Sequence, residues 1–243
     1  MNPPDIDMFE WEYSQFQWDV HILIEGTLKA SIRYLDTEAK TELEEIEEAM
    51  KKPFDDEYRE HLVDEHVDVL ATNSGQERFL RNMALVALAS RLAHALREMA
   101  RPAELFSKRQ EGRYGSKNDS EFERLWAEYF ERFRIDVKNS GRAAFVKSMV
   151  EVRNQIVHAG GEANVWKPLD KIDWSTGEEG YLRTDFSKQY PEYVSGTGMS
   201  AEVSVSQELL DKNIKASIEL VGWLAGELRR KELESMKSKS GIP

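Results

Sequence analysis

Apolar side chains recur every three or four residues along most of the chain, and this spacing limits what the chain can fold into more than any other feature. The first such run is Phe9, Tyr13, Phe16, Val20 and Leu23. Side chains at this spacing share one face of an α-helix, whereas a half-buried strand alternates every second residue. Because similar runs cover most of the 243 residues, the sequence predicts a mainly all-α fold, a helical bundle with extra helices at its N-terminus.

Turn formers, capping residues and cations predict where these helices begin and end. The first helix should cover residues 6–34, and the second should start at Asp36 or Thr37. The second helix should end at Lys51-Lys52-Pro53, and a third should run through Tyr58 and Leu70 to a turn at Asn73-Ser74-Gly75. A fourth helix should follow that turn and end at about Ala100. Ser120 with Glu123 should cap the next helix, and the last helix should end at Arg229-Arg230-Lys231.

We interpret the chain as a single domain with a small insert before its last helix. Proline and glycine are scattered through the insert, where the helical period is lost. Glu202-Val-Ser-Val205 alternates as a short strand does, and Thr184-Asp-Phe is its candidate partner in a hairpin. The parts are a domain over 1–235, with acidic N-terminal helices (1–72), core helices (75–161), the insert (162–205) and a C-terminal helix (206–235), and then a tail (236–243).

The insert is rich in aromatic side chains, which have two possible roles. They can pack the insert against the domain, or they can stack on unpaired bases of a nucleic acid. We favour packing, because aromatic residues in a long insert usually hold it to the domain. The residues concerned are Trp166, Trp174, Tyr181, Tyr190 and Tyr193.

The net charge of −12 is distributed unevenly. Residues 1–66 carry 6 basic and 19 acidic side chains, whereas residues 67–158 carry 16 basic and 12 acidic ones. A ligand with phosphate groups therefore has its best electrostatic match in the second segment. The candidate RNA-binding residues are Arg109, Arg113, Lys117 and Lys147. The alternative is a solvated surface of mixed charge.

Several function classes are excluded or disfavoured by what the sequence lacks. The chain has no cysteine, which excludes a disulfide scaffold, a thiolate nucleophile and any cysteine-ligated metal. Its N-terminus lacks the basic start and apolar run of a signal peptide, and Met83 to Ala89, the longest nearly apolar run, is too short to span a bilayer. We therefore expect a cytoplasmic protein without a membrane partner.

The strongest candidate for a functional site lies near the middle of the chain. Phe145, Met149, Val152 and Ile156 follow the helical period, and Gly160-Gly161 predicts that the helix ends near His158. Asn154 lies one turn before His158 on the same face. Arg153 lies about 140° around the helix from His158, so only its long side chain can bring it to the same cleft.

A second Arg and His pair has the same kind of spacing in a different setting. Arg59 and His66 are separated by six residues, but Glu60 follows the arginine, and Asp64, Glu65 and Asp68 surround the histidine. No glycine stop follows. This setting suits a phosphate group poorly, because carboxylates repel it. We therefore prefer the pair that ends at Gly160-Gly161.

The preferred stretch resembles the signature of the HEPN superfamily. HEPN ribonucleases carry Arg, then a polar residue that is often Asn, and then His four to six residues after the Arg; here the stretch reads Arg153-Asn154-Gln155-Ile156-Val157-His158. The resemblance is close in this helix and only general in the helices beside it. It implies a HEPN-like helical bundle and a metal-independent endoribonuclease with no cofactor, in which Arg153, Asn154 and His158 are catalytic.

The resemblance also implies a mechanism, partners and a biological setting. The RNA 2′-hydroxyl would attack the phosphorus and leave a 2′,3′-cyclic phosphate, with His158 moving protons and Arg153 holding phosphate oxygens. Two motif helices would meet across the axis of a homodimer. A toxin–antitoxin or phage-defence setting, with a cognate antitoxin, is typical of such proteins. Several HEPN toxins have Tyr two residues after the motif His, where this chain has Gly160, which suggests a different subfamily.

Two other function classes stay open at this point. One is a catalytically inactive HEPN module that binds RNA, a nucleotide or a protein. The other is a purely structural helical protein, in which Arg153 pairs with a carboxylate such as Glu98 or Glu151 and His158 meets the last helical carbonyl groups.

Overall fold

The computed structural model is mainly α-helical, with two small antiparallel sheets. It describes residues 7–53, 56–101, 114–116, 119–158, 160–166, 181–196 and 201–240. The helices are α1 (Met8–Trp18), α2 (Thr27–Met50), α3 (Asp56–Ala100), α4 (Glu121–Phe133), α5 (Ala144–His158), α6 (Asp185–Gln189) and α7 (Gln207–Ser240). The strands are β1 (Asn164–Trp166), β2 (Tyr181–Arg183), β3 (Val194–Ser195) and β4 (Glu202–Val203).

The N-terminal helices are more continuous than the sequence predicts. A π-helical segment, Asp19–Gly26, joins α1 to α2, and α2 passes through Asp36 and Thr37, where we expected a new helix to begin. The prediction was wrong because the Thr37 hydroxyl has a hydrogen-bond partner inside the helix, where its Oγ1 donates to the Arg33 carbonyl at 2.8 Å. The expected end at Lys51-Lys52-Pro53 is confirmed.

Helix α3 is a single helix of 45 residues, so the turn predicted at Asn73-Ser74-Gly75 is wrong. A glycine inside a helix costs only about 0.5–1 kcal/mol relative to alanine, which packing can offset. Helix α2 packs along the first half of α3, with Ile46 and Leu62 buried between them. The amide of Asn73 bonds the Asp36 carboxylate of α2 across the pair, at 3.4 Å.

The second half of α3 lies at the centre of the protein. Its buried side chains contact α1, α4, α5 and α7. Tyr129 of α4 is fully buried and donates a hydrogen bond to the Leu96 carbonyl at 2.9 Å. The predicted capping box of α4 is confirmed, because Ser120 and Glu123 bond each other's backbone N–H groups. These helices form the core that holds α5 in place.

The insert contains two short hairpins, so the strand at Glu202 is confirmed but its predicted partner is wrong. Strand β4 pairs with Val194–Ser195, and β1 pairs with β2. Thr184 instead caps α6, where its Oγ1 accepts from the Ser187 backbone at 3.1 Å. Asn82 of α3 holds the second hairpin, donating to the Val203 carbonyl and accepting from the Val205 N–H, both at 3.0 Å.

Helix α7 extends beyond the predicted end at Arg229-Arg230-Lys231. These cations do not stop the helix, because Arg230 forms ion pairs one turn away on either side, with Glu227 and Glu234 at 2.6 Å. The predicted tail is therefore helical through Ser240. Within the described ranges, no helix has a stretch that is both long and apolar enough to cross a bilayer.

Candidate functional site

Helix α5 ends where the sequence predicts, and its apolar face holds it against the core. Val146, Met149 and Val152 are buried. After His158 the chain leaves the helix through Gly160 and Gly161, whose φ angles are +63° and +80°. Glycine adopts this left-handed conformation without strain, and the Gly161 N–H closes the helix end on the Gln155 carbonyl at 3.0 Å.

Arg153 and Asn154 contact each other and line the same cavity. The Arg153 Nη1 donates to the Asn154 Oδ1 at 3.1 Å. The cavity has a volume of about 200 Å³, a size that holds a few ordered waters or one phosphate group. It lies between α3, α5 and the start of α4, and its lining residues are Ala89, Ser90, Ser120, Glu121, Phe122, Val150, Arg153 and Asn154.

The Arg153 guanidinium forms no ion pair with any carboxylate in the described part of the chain. Glu121, which also lines the cavity, is paired with Arg97, and Glu98 is paired with Arg101 at 2.9 Å. The alternative in which Arg153 pairs with Glu98 or Glu151 is therefore not observed among these residues. A half-buried guanidinium beside an amide, with no carboxylate partner among the described residues, suits an anionic ligand, since arginine can donate two parallel hydrogen bonds to phosphate oxygens.

His158 lies on a different side of α5 from Arg153. It is exposed at the last turn and is not among the residues that line the cavity of Arg153. It shares its face of the helix with Asn154, one turn earlier, and with Lys147, which is also exposed. Within one chain, Arg153 and Asn154 therefore share a cavity, whereas His158 lies outside it on the exposed face of α5.

The competing pair, Arg59 and His66, lies on the first half of α3. Arg59 is exposed and lies 3.8 Å from the Asp56 carboxylate. His66 is half-buried, and its Nδ1 has no hydrogen-bond partner among the described residues. Arg59 thus has a carboxylate neighbour, whereas Arg153 has none among the described residues.

The start of α4 is the part of the site that the motif does not reveal. Ser120 and Glu121 line the cavity opposite Arg153. Their capping signature predicts a helix start, but nothing local in the sequence indicates that this helix start meets α5. Only the packing of α4 against α3 brings it there.

Of the candidate RNA-binding residues, only Lys147 can be placed. It is exposed on the face of α5 that carries His158. Arg109, Arg113 and Lys117 lie outside the described residues. No cluster of three or more histidine, aspartate or glutamate side chains suited to a metal ion is found in the ranges that the structure describes.

The insert packs against α5 and α7, and two of its aromatic residues take part in this packing. Tyr190 and Tyr193 are buried, and Tyr193 accepts a hydrogen bond from the Asn213 amide at 3.0 Å. Burial raises the pKa of Tyr190, and the nearby carboxylate of Glu151 on α5 adds to this effect. The packing role is therefore confirmed for these two tyrosines; Trp174 and the side chains of Trp166 and Tyr181 lie outside the described set.

Comparison of the chain with protein-family models, with curated proteins and with solved structures gave no match. The relationship to HEPN proteins therefore stays a resemblance in residues 143–161.

Proposed function

We propose that this protein is a metal-independent endoribonuclease of the HEPN type. The observation that carries the proposal is the pair of Arg153 and Asn154, which lines an open cavity without a carboxylate partner in the described chain, one turn before exposed His158. A phosphodiester needs a cation for its oxygens and a group that moves protons, and this helix end carries both.

In the proposed reaction, the RNA 2′-oxygen attacks the adjacent phosphorus and loses its proton to a base. The bond from phosphorus to the 5′-oxygen breaks, and that oxygen takes a proton and leaves as a hydroxyl, so the other product ends in a 2′,3′-cyclic phosphate. His158 moves a proton in one of these two transfers. Arg153 stabilises the additional negative charge at the five-coordinate phosphorus, and Asn154 orients a phosphate oxygen or the imidazole.

The proposal includes a homodimer, because one chain does not bring Arg153 and His158 to one cavity. A two-fold axis through the outer face of α5 would place the His158 of each subunit near the Arg153 cavity of the other. Such an isologous contact uses the same surface patch twice. The face available for it carries Lys147, Asn154 and His158.

RNA would reach this cleft along the basic segment before the motif, through Arg109, Arg113, Lys117 and Lys147. A cytoplasmic toxin–antitoxin or phage-defence role, with a cognate antitoxin, belongs to the same proposal. A second candidate function is a catalytically inactive module that binds RNA, a nucleotide or a protein. It is favoured by one observation, the separation of His158 from the Arg153 cavity within a chain.

Cleavage of single-stranded RNA by the purified full chain, in the presence of EDTA, tests the proposal. We expect cleavage to persist in EDTA, to stop on RNA with 2′-O-methyl groups at the cut sites, and to fall by about 10² to 10⁴ in His158→Ala. Product ends should carry a 2′,3′-cyclic phosphate. Equal cleavage of the methylated RNA would rule out the mechanism, and RNA binding without cleavage would favour the inactive module.

Mixing two inactive variants tests the dimer separately. If each site takes Arg153 from one subunit and His158 from the other, a mixture of Arg153→Ala and His158→Ala proteins forms some dimers with one intact site. We expect activity to return to the mixture, up to about a quarter of the normal rate if subunits exchange at random. Full activity in a strictly monomeric particle would contradict the shared site.

A further inference from the structure

The first half of α3 and most of α2 form a two-helix arm, residues 31–53 and 56–80. Along one side of this arm, two adjoining cavities make a continuous groove between the helices, because both are lined by Leu35, Thr72 and Gln76. Their volumes are about 500 and 420 Å³, in the range of ligand and peptide pockets. From His61 to Leu80 the groove follows α3 for about 28 Å.

One end of the groove is apolar and is bordered by two exposed aromatic rings. Tyr34 is 61% exposed and Phe79 is 62% exposed, and Leu35 and Leu80 form the floor between them. Large rings are usually covered by other side chains, so an aromatic pair at the edge of an apolar cavity marks a place for an apolar anchor.

The other end of the groove is lined by carboxylates. These side chains are exposed, and none of them pairs with a lysine or arginine in the described chain; they are Glu38, Glu42, Asp64, Glu65 and Asp68. No lysine or arginine lines either cavity. The sequence from residue 31 to residue 80 carries 15 acidic and 6 basic side chains, so most of the chain's net charge of −12 lies in this segment.

We infer that this groove is a docking site for a basic amphipathic helix of a partner protein. An apolar side chain of that helix would sit between Tyr34 and Phe79, and its lysines or arginines would face the carboxylates. A helix of about 19 residues spans the groove, and helix binding in a groove between two helices is a common recognition mode.

Charge decides between this occupant and a second copy of the chain. Two arms of the same sequence would bring two surfaces with an excess of nine negative charges together, and such contacts repel. A basic helix neutralises that excess instead. The inference concerns the arm alone, so it holds whether or not α5 cleaves RNA.

A display library of 20-residue peptides, selected on the intact protein, tests the inference. Because the chain has no cysteine, Gln76→Cys places one fluorescent label in the groove. Ser74→Cys places the same label about 200° away on α3, as a matched control. The second pair of variants is Phe79→Ala in the groove and Val67→Ala, which shortens a similarly exposed apolar side chain outside it.

We expect the selected peptides to combine lysine or arginine with one large apolar residue. They should change the fluorescence of the label at position 76 and not that of the label at position 74. They should also bind more weakly in high salt. Affinity should fall about tenfold or more in Phe79→Ala and stay unchanged in Val67→Ala. A library that yields no binder, peptides that are neutral or acidic, or equal binding to Phe79→Ala would overturn the inference. Self-association that Phe79→Ala abolishes would assign the groove to a second copy instead.

Discussion

The two halves of α3 run through one unbroken helix and yet have different surroundings. From Asn82 to Ala100 the helix has eleven buried residues, whereas from Asp56 to Arg81 it has one, Leu62. The second half is surrounded by helices of the core; the first half packs mainly on α2. The second half of α3 is therefore held by several core helices, whereas the first half depends mainly on its contact with α2.

The largest expected difference between the halves concerns leucine removal. Leu92→Ala in the core should lower the free energy of unfolding by about 2–5 kcal/mol, because it leaves a cavity among fully buried neighbours. Leu62→Ala should cost less, since in the described chain this part of α3 packs mainly on α2 and the site can relax. Urea denaturation of both variants measures the difference, and equal losses would show that the arm is packed as tightly as the core.

Two asparagines of α3 provide the next comparison. Asn82→Ala leaves the buried Val203 carbonyl and Val205 N–H without their partner, which should cost about 1–3 kcal/mol and loosen the hairpin of β3 and β4. Asn73→Ala removes only an exposed bond to Asp36, so the expected loss is below about 1 kcal/mol. Hydrogen exchange at Val205 should accelerate in the first variant alone; protection that survives in Asn82→Ala would contradict this role.

A smaller effect of opposite sign is expected for glycine replacement. Gly75→Ala should stabilise the arm by about 0.5–1 kcal/mol, because a Cβ there meets nothing within 4 Å. Gly222→Ala in α7 places its Cβ 3.0 Å from the Tyr13 ring of α1, so its gain should be smaller or reversed. Thermal unfolding ranks the two, and a destabilised Gly75→Ala would indicate that α3 bends at this point.

The smallest effect concerns one carboxyl group of α1. Burial raises the pKa of Glu12 above 4.5, although Arg91 opposes the shift. The folded chain therefore holds this proton more tightly than the unfolded chain, and the group's contribution to stability falls as pH rises through the folded pKa. Glu12→Gln should gain stability relative to the native chain at pH 7 and lose that gain below pH 4.5. The control is Glu47→Gln, which changes an exposed carboxylate of the arm.

The sequence predicts the core well because its signals agree with each other. The apolar period of α5 and the glycine pair after it locate the helix end, and the Ser120 capping box locates the start of α4. In each case a local preference and a buried face indicate the same element. The mainly helical class follows from the same agreement.

Predictions were wrong where local preference and packing disagree. Asn73-Ser74-Gly75 favours a turn, but contact with α2 keeps the backbone helical, and Asp36 becomes a partner of Asn73 instead of a cap. At the site, the motif predicts Arg153 and Asn154 but not the start of α4 opposite them, because Glu121 lies 32 residues before Arg153 and reaches it only through packing on α3.

Cleavage by matched arginine variants shows whether the proposed chemistry belongs to the α5 end of the core or to the arm. Arg153 and Arg59 each precede a histidine, but only Arg153 lacks an ion pair in the described chain. With single-stranded RNA and EDTA, Arg153→Ala should slow cleavage by about 10² to 10³, while Arg59→Ala keeps the native rate. Full activity in Arg153→Ala, or loss of activity in Arg59→Ala, would contradict a catalytic site on α5.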